Sequence, residues 1–155
     1  MPDRLEKLAI IAPANSFSLG IVQCLSSTYR VELWSHDSEV VSAFRRSRPP
    51  IVIVIARFFE VGRGAGLARR LKTELRPPLV AMILKSGLPS EAEAFCRRYR
   101  LDGLLGGQAA KEEVLAFVNQ IRKEESPVYG DPGRPNRVVG ALERLSGWRV
   151  FSRDE

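Results

Sequence analysis

The sequence predicts an α/β fold in which helices cover both faces of a parallel sheet. Ile51 to Ile55 is an unbroken run of five β-branched residues, and it lacks the alternating polar residue of a strand with one face in water. Four further segments of strand length lie along the chain, and each is followed by apolar residues at helical spacing. Short strands that alternate with helices are typical of parallel sheets with covered faces.

The ends of the elements follow from capping and helix-breaking residues. Asn15 or Ser16 is a suitable N-cap for the first helix, and Asp37 for the second. The double prolines at 49–50 and 77–78 stop the second and third helices, since proline disfavours helical geometry in the residue before it. The predicted strands are 7–12, 30–34, 51–55, 79–84 and 102–105. The predicted helices are about 15–27, 37 to the first double proline, about 66–75, a helix opening at a capping box of Ser90 and Glu93, and about 110–124.

Three glycines, Gly62, Gly64 and Gly66, separate the third strand from the third helix, and they predict a loop. This GxGxG run lacks the full GxGxxG register and a downstream acid for a ribose, so it favours a turn over a dinucleotide site. His36 is the only histidine, and its position next to Asp37 at a predicted helix start is typical of a surface residue. Neither a hydrolase triad nor a zinc site can be assembled, and the sequence therefore predicts a protein that is not an enzyme.

Composition restricts the class of protein further. A chain of 155 residues suits one domain with a short appendage, and no apolar run approaches the roughly 18 residues that cross a bilayer. The first ten residues carry acids and do not form a secretory signal. Cys24 and Cys96 are far apart and predict buried thiols in a reducing cytoplasm.

The net charge of +6 comes from arginines, which can favour anionic ligands or acidic proteins. The same arginines lie near the ends of predicted helices, where cations favour the helix dipole and are commonly just solvated. The clusters are Arg45, Arg46 and Arg48; Arg69 and Arg70; and Arg97, Arg98 and Arg100.

The last part of the chain differs in composition from the rest. Residues 125–136 are rich in proline and glycine and predict a linker between a globular domain, 1–124, and an extension, 137–155. The extension contains Trp148 and Phe151 and is too short to form a core alone. It either folds back on the domain or docks on a partner or a second copy.

The five strand–helix units, the double proline before the third strand, and Gly64 after it resemble the receiver domains of bacterial response regulators, over about 5–123. The resemblance implies a flavodoxin-like sheet of order 2-1-3-4-5. In such receivers an aspartate at the end of the third strand takes a phosphoryl group, and two acids after the first strand hold Mg²⁺. A Ser or Thr ends the fourth strand, and a Lys follows the fifth.

This chain departs from the family pattern at each of these positions. The acceptor position falls on Ala56, and the metal-binding acids fall on Ala12 and Pro13. The lysine position falls on Gly107, with Gln108 after it, and the hydroxyl position falls on residue 83 or 84. Mg²⁺ requires oxygen ligands, and an alanine methyl group cannot accept phosphate. The resemblance therefore implies a pseudo-receiver without cofactor or metal.

A pseudo-receiver implies a signalling module of the bacterial cytoplasm that acts through protein partners, or through a second copy of itself. The family commonly uses the face of helix four, strand five and helix five. The contact residues expected here are Arg97, Arg98, Tyr99, Arg100, Trp148 and Phe151. The alternative to a contact surface is that Tyr99 belongs to the core and that the arginines are simply solvated.

A second hypothesis is a sensor of small anions. Some degenerate receivers bind cyclic dinucleotides through arginines, and the pairs Arg69–Arg70 and Arg97–Arg98 are compatible with such a site. DNA binding is disfavoured, because nothing after residue 125 is long enough for a helix-turn-helix domain.

Overall fold

A computed structural model of the protein describes residues 5–56, 61–84, 91–106, 111–123, 128–130 and 148–150. These residues form five strand–helix units followed by two short strands. The strands are β1 (Glu6–Ile11), β2 (Tyr29–Trp34), β3 (Ile51–Ala56), β4 (Leu79–Leu84), β5 (Gly103–Leu105), β6 (Val128–Gly130) and β7 (Trp148–Val150). The helices are α1 (Ser16–Leu25), α2 (Val40–Ser47, after a 3-10 turn), α3 (Val61–Lys72), α4 (Ala92–Tyr99) and α5 (Lys111–Lys123).

All seven strands belong to one sheet, in the order β2-β1-β3-β4-β5-β6-β7. The first six pair in parallel with their neighbours, and β7 is antiparallel to β6. The first five strands confirm the predicted flavodoxin-like order 2-1-3-4-5. Within the described ranges, no helix is long and apolar enough to cross a membrane.

The sheet separates two apolar cores, as the helices on both of its faces require. One core lies between the sheet and α2, α3 and α4, and the other between the sheet and α1 and α5. In β3, Val52 and Val54 belong to the first core and Ile53 and Ile55 to the second, because alternate residues of a strand face opposite ways. All six residues of β3 are buried, as expected for the central strand.

Helix α3 begins at Val61, so the prediction of a glycine-rich loop as far as residue 66 is wrong. Its buried side includes three small residues, Gly64, Ala65 and Ala68, and one large residue, Leu71. Packing of this side against β3 and β4 offsets the low helix propensity of glycine. Since the glycines are helical, they do not form a phosphate-binding loop.

The structure adds two strands at one end of the sheet, and the sequence pattern predicts neither. Val128, which is fully buried, lies within the segment 125–136, and its N–H donates to the carbonyl of Asp102 at 3.0 Å. Three residues are too few to show the alternation of a strand, whereas the unpaired edge of β5 offers backbone partners. The division into domain, linker and extension stays a prediction, because residues 131–147 lie outside the described ranges.

Candidate functional site

The loop after β1, where the acid pair of a receiver is expected, is closed by neutral hydrogen bonds. Ala12 is 1% exposed and donates its N–H to the carbonyl of Trp34 at 3.2 Å. Ser18 Oγ donates to the carbonyl of Pro13 at 2.6 Å and accepts the N–H of Asn15 at 3.0 Å. Asn15 Oδ1 in turn accepts the N–H of Ser18 at 3.0 Å, which confirms Asn15 as the N-cap of α1. These contacts hold the turn through uncharged groups.

Ala56 ends β3 at the same edge of the sheet. It is 3% exposed and pairs with Leu84, the last residue of β4. The register pairs Ile11 with Val54, so Ala12, directly after β1, and Ala56, the last residue of β3, lie at the carboxyl ends of neighbouring strands. Their methyl groups belong to opposite cores, Ala12 to the core under α1 and α5 and Ala56 to the other. Neither residue can accept a phosphoryl group or bind a metal ion.

The remaining expected positions at this edge are not all described. Ile83 and Leu84, the alternatives for the hydroxyl position, are buried and apolar. Gly107 and Gln108 lie outside the described residues, as do Arg57, Phe58 and Phe59. Within the part of the chain that the structure describes, no group of three His, Cys, Asp or Glu side chains could hold a metal ion.

The carboxyl-terminal end of α4 brings together cationic and aromatic side chains. The guanidinium of Arg98 lies 5.4 Å from the ring centroid of Tyr99, a cation–π distance. The ring of Tyr99 packs against that of Phe95 at 5.0 Å between centroids, tilted by 54°. Phe95 and Tyr99 are both half-buried and pack against the core. Tyr99 therefore contacts the core and is also partly exposed to solvent.

The two other arginines of this region are held differently. Arg97 is exposed and forms an ion pair with Glu93, one helical turn earlier. Arg100, also exposed, ends α4 with a φ of 56°, in the left-handed region. The structure thus clusters all four predicted contact residues of 97–100 at one helix end. Of the two predicted in the tail, Trp148 begins β7, and Phe151 lies outside the described residues.

An ion pair that sequence reasoning misses connects three elements at the amino edge of the sheet. Asp102 Oδ2, just before β5, accepts from Lys72 Nζ at 2.7 Å and from the N–H of Val80 at 2.8 Å. Lys72 Nζ also donates to the carbonyl of Pro78 at 2.8 Å. The pair joins the end of α3 to the starts of β4 and β5. No local sequence pattern predicts this contact, because Lys72 and Asp102 are 30 residues apart in the chain.

Cys96 is a buried thiol with a raised pKa. It is 0% exposed on α4, and burial, with smaller effects from Asp102 and Glu93, raises its pKa from 9.0 to about 12. The folded protein therefore keeps the proton that the unfolded chain releases above pH 9.0. The contribution of this thiol to the free energy of unfolding is therefore fully present below pH 9.0, and it is lost as the pH rises toward about 12.

We expect iodoacetamide at pH 8 to alkylate the half-buried Cys24 of the native protein and to spare Cys96, because the thiolate is the nucleophile. Intact-mass spectrometry and peptide mapping would locate the adduct. Both cysteines should react in guanidinium chloride. Equal native rates at the two cysteines would contradict the assignment.

No protein-family profile and no curated protein matches this chain. Solved structures do resemble it. The chemotaxis response regulator CheY4 of Vibrio cholerae is 14% identical, with 76% of this chain and 98% of that one covered and a TM-score of 0.64. A response regulator from Thermotoga maritima is 16% identical, with 77% and 100% covered and a TM-score of 0.65. The signal receiver domain of an HD domain-containing protein from Pseudomonas fluorescens is 13% identical, with 77% and 96% covered and a TM-score of 0.64. At these identities the likeness shows the fold.

Proposed function

We propose that this protein is a receiver-like signalling module that cannot be phosphorylated and that acts by binding other proteins. The observation that carries the proposal is the pair of buried alanines, Ala12 and Ala56, at the carboxyl ends of β1 and β3. The solved structures with the same fold include response regulators and their receiver domains. Where such domains bind Mg²⁺ and phosphate, this chain presents methyl groups.

A neutral edge has a conformational consequence. Carboxylates that share a site repel one another, and a bound cation relieves that repulsion. With Ala12, Pro13 and Ala56 in place of acids, and with the turn after β1 held by Ser18 and Asn15, there is no such repulsion to relieve. The module then keeps one conformation, and its signalling depends on surfaces and on the amount of protein present.

Incubation with acetyl phosphate and Mg²⁺ is expected to leave the protein unmodified, because no carboxylate ends β3. Intact-mass spectrometry should show no phosphoryl adduct, and the melting temperature should be the same with and without Mg²⁺. A response-regulator receiver with its aspartate, treated in parallel, provides the positive control. A phosphoryl adduct, or a Mg²⁺-dependent shift in melting temperature, would overturn the proposal.

The surface that best fits a protein partner is the end of α4, formed by Arg97, Arg98, Tyr99 and Arg100. Tyrosine and arginine are enriched among the residues that contribute most to protein interfaces. The stacking of Arg98 on Tyr99 holds the guanidinium over a half-buried ring, so less side-chain entropy is lost on binding.

The double variant Arg97→Glu with Arg98→Glu is expected to reduce recovery of partners in a crosslinked pull-down from the native host. The matched control is Arg69→Glu with Arg70→Glu, which makes the same charge change on exposed residues of α3. Loss of the same partners in both variants would indicate an effect of net charge alone. Unchanged recovery in the α4 variant would exclude this face.

A second copy of the chain is one candidate partner, and sedimentation equilibrium would measure this self-association.

The alternative function, a cyclic-dinucleotide sensor, predicts that titration with cyclic di-GMP releases or absorbs heat in a calorimeter. That heat should vanish in the two double-arginine variants. Phosphate binding by paired arginines is bidentate, so charge reversal would abolish it.

A further inference from the structure

Two identical tripeptides lie side by side at the amino edge of the sheet. Arg48-Pro49-Pro50 leads from α2 into β3, and Arg76-Pro77-Pro78 leads from the segment after α3 into β4. The register pairs Ile51 with Leu79, and the N–H of Leu79 donates to the carbonyl of Pro50 at 2.8 Å. The two motifs therefore enter neighbouring strands at the same level. Together they line a cleft of about 710 Å³.

The cleft carries an excess of positive charge. Its lining residues include three arginines, Arg48, Arg76 and Arg122, and a single acid, Glu6. Glu6 forms an ion pair with Arg122, from the last turn of α5. Two arginines are then left without a carboxylate among the lining residues. Within the cleft, Arg48 donates to the backbone carbonyl of Leu75 at 3.4 Å, and its guanidinium lies 6.0 Å from the ring centroid of Phe44. Glu74, which does not line the cleft, interacts electrostatically with Arg48 but accepts its hydrogen bonds from Arg45.

The surface between the arginines is apolar. Leu75, which is 81% exposed, the half-buried Leu79 and the exposed Pro50 and Pro77 provide it. Phe44 and Ile51 also line the cleft, but each is only 1% exposed. Proline has no backbone N–H, so the two motifs supply few donors apart from their guanidinium groups. A ligand complementary to this cleft has an apolar body and carboxylate or phosphate groups on either side.

The backbone at the two arginines is in a conformation that favours glycine. Arg48 has a φ of 49° and Arg76 a φ of 55°, both in the left-handed region that side chains with a Cβ disfavour. Glycine is the usual residue after the end of a helix for this reason. For the backbone, then, arginine is a poorer choice than glycine at both positions. Both arginines line the cleft, and a ligand held there by their charge would account for arginine at these positions.

The chemistry at this edge favours carboxylates over phosphates. Helices α2, α3 and α5 end here, and their last carbonyl groups carry partial negative charge, which opposes a concentrated dianion. Phosphate sites typically use the backbone N–H groups of a helix start or a glycine-rich loop, and the prolines remove such donors. Guanidinium pairs bind carboxylates bidentately without those donors. The cleft is within the size range of about 300–1,000 Å³ typical of ligand pockets.

We propose that this cleft binds an acidic peptide segment of a partner protein. Carboxylates of the segment pair with Arg48 and Arg76, and an apolar side chain between them packs on Leu75 and Leu79. The proposal concerns the amino edge of the sheet and does not depend on whether the opposite edge can be phosphorylated.

Fluorescence anisotropy with a fluorescein-labelled hexapeptide, Asp-Glu-Leu-Phe-Glu-Asp, tests the site on the full chain. Saturable binding is expected, together with none for the neutral peptide Asn-Gln-Leu-Phe-Gln-Asn. Arg48→Gly and Arg76→Gly should each raise the Kd by about tenfold, as one charge-assisted contact is lost. Their melting temperatures should be equal to or above that of the wild type, because glycine suits the positive φ.

The matched control is Arg46→Ala. Arg46 is an exposed arginine of α2 that carries the same charge but does not line the cleft, so the Kd should not change. Absence of saturable binding by the acidic peptide would overturn the proposal. So would unchanged binding by Arg48→Gly and Arg76→Gly, or an equal loss in Arg46→Ala. Displacement of the peptide by ATP at lower concentration than by unlabelled peptide would show a phosphate site instead.

Discussion

Replacing Gly103 with alanine is expected to lower the free energy of unfolding by about 1–3 kcal/mol, because α5 packs directly on the backbone of β5. A Cβ at this position would lie 2.5 Å from Ile121 Cδ1 and 2.7 Å from Phe117 Cζ. Phe117 is 0% exposed and Ile121 2%, so neither can move into solvent. The strand cannot retreat either, since Gly103 pairs with Ala81 on one side and Val128 on the other.

Denaturant unfolding followed by circular dichroism measures the change. The matched control is Gly66→Ala, at an exposed helical position where a Cβ meets no atom within 4 Å. That substitution should raise the free energy of unfolding by about 0.5–1 kcal/mol. Adding Ile121→Val to Gly103→Ala removes the closest atom and should restore part of the loss. Wild-type stability of Gly103→Ala would contradict the close packing of α5.

Replacing Asp102 with alanine is expected to cost about 2–4 kcal/mol, because it removes two charge-assisted hydrogen bonds and leaves a half-buried cation without its partner. The side chains of Lys72 and Asp102 are 14% and 29% exposed, so water compensates only in part. The N–H of Val80 loses its acceptor in the same change. The ends of α3, β4 and β5 are all affected.

Two variants separate the charge from the hydrogen bonds. Asp102→Asn keeps an acceptor for Val80 but loses the charge that faces Lys72, so its stability should be intermediate. Glu93→Gln removes the charge from an ion pair on the surface, where the side chains of Glu93 and Arg97 are 36% and 61% exposed, and should have little effect. If Asp102→Ala unfolds at the same denaturant concentration as Glu93→Gln, the contact of Asp102 with Lys72 contributes no more than a surface pair.

The positions of Ala12 and Ala56 could be predicted because strand ends are counted along the chain. Ala56 follows a run of β-branched residues, and Ala12 follows the first strand, so strand ends alone locate both. The pairing of Asp102 with Lys72 and the cleft between the two Arg-Pro-Pro motifs could not be found in this way. Each depends on elements that meet only when the sheet forms. The double prolines are read from sequence simply as helix stops, although they also bring Arg48 and Arg76 to one cleft.

The sequence by itself determined the alternation of strands and helices, the burial of β3 on both faces, and the absence of an acid at the end of that strand. These are local properties, set by side-chain volume, branching and charge over a few consecutive residues. Only the tertiary structure decided that the glycines of α3 are helical, and that the segment after α5 adds a strand to the sheet. In both cases contacts between distant residues outweigh local preference, since burial against the sheet and pairing with an open edge contribute more free energy than propensity does.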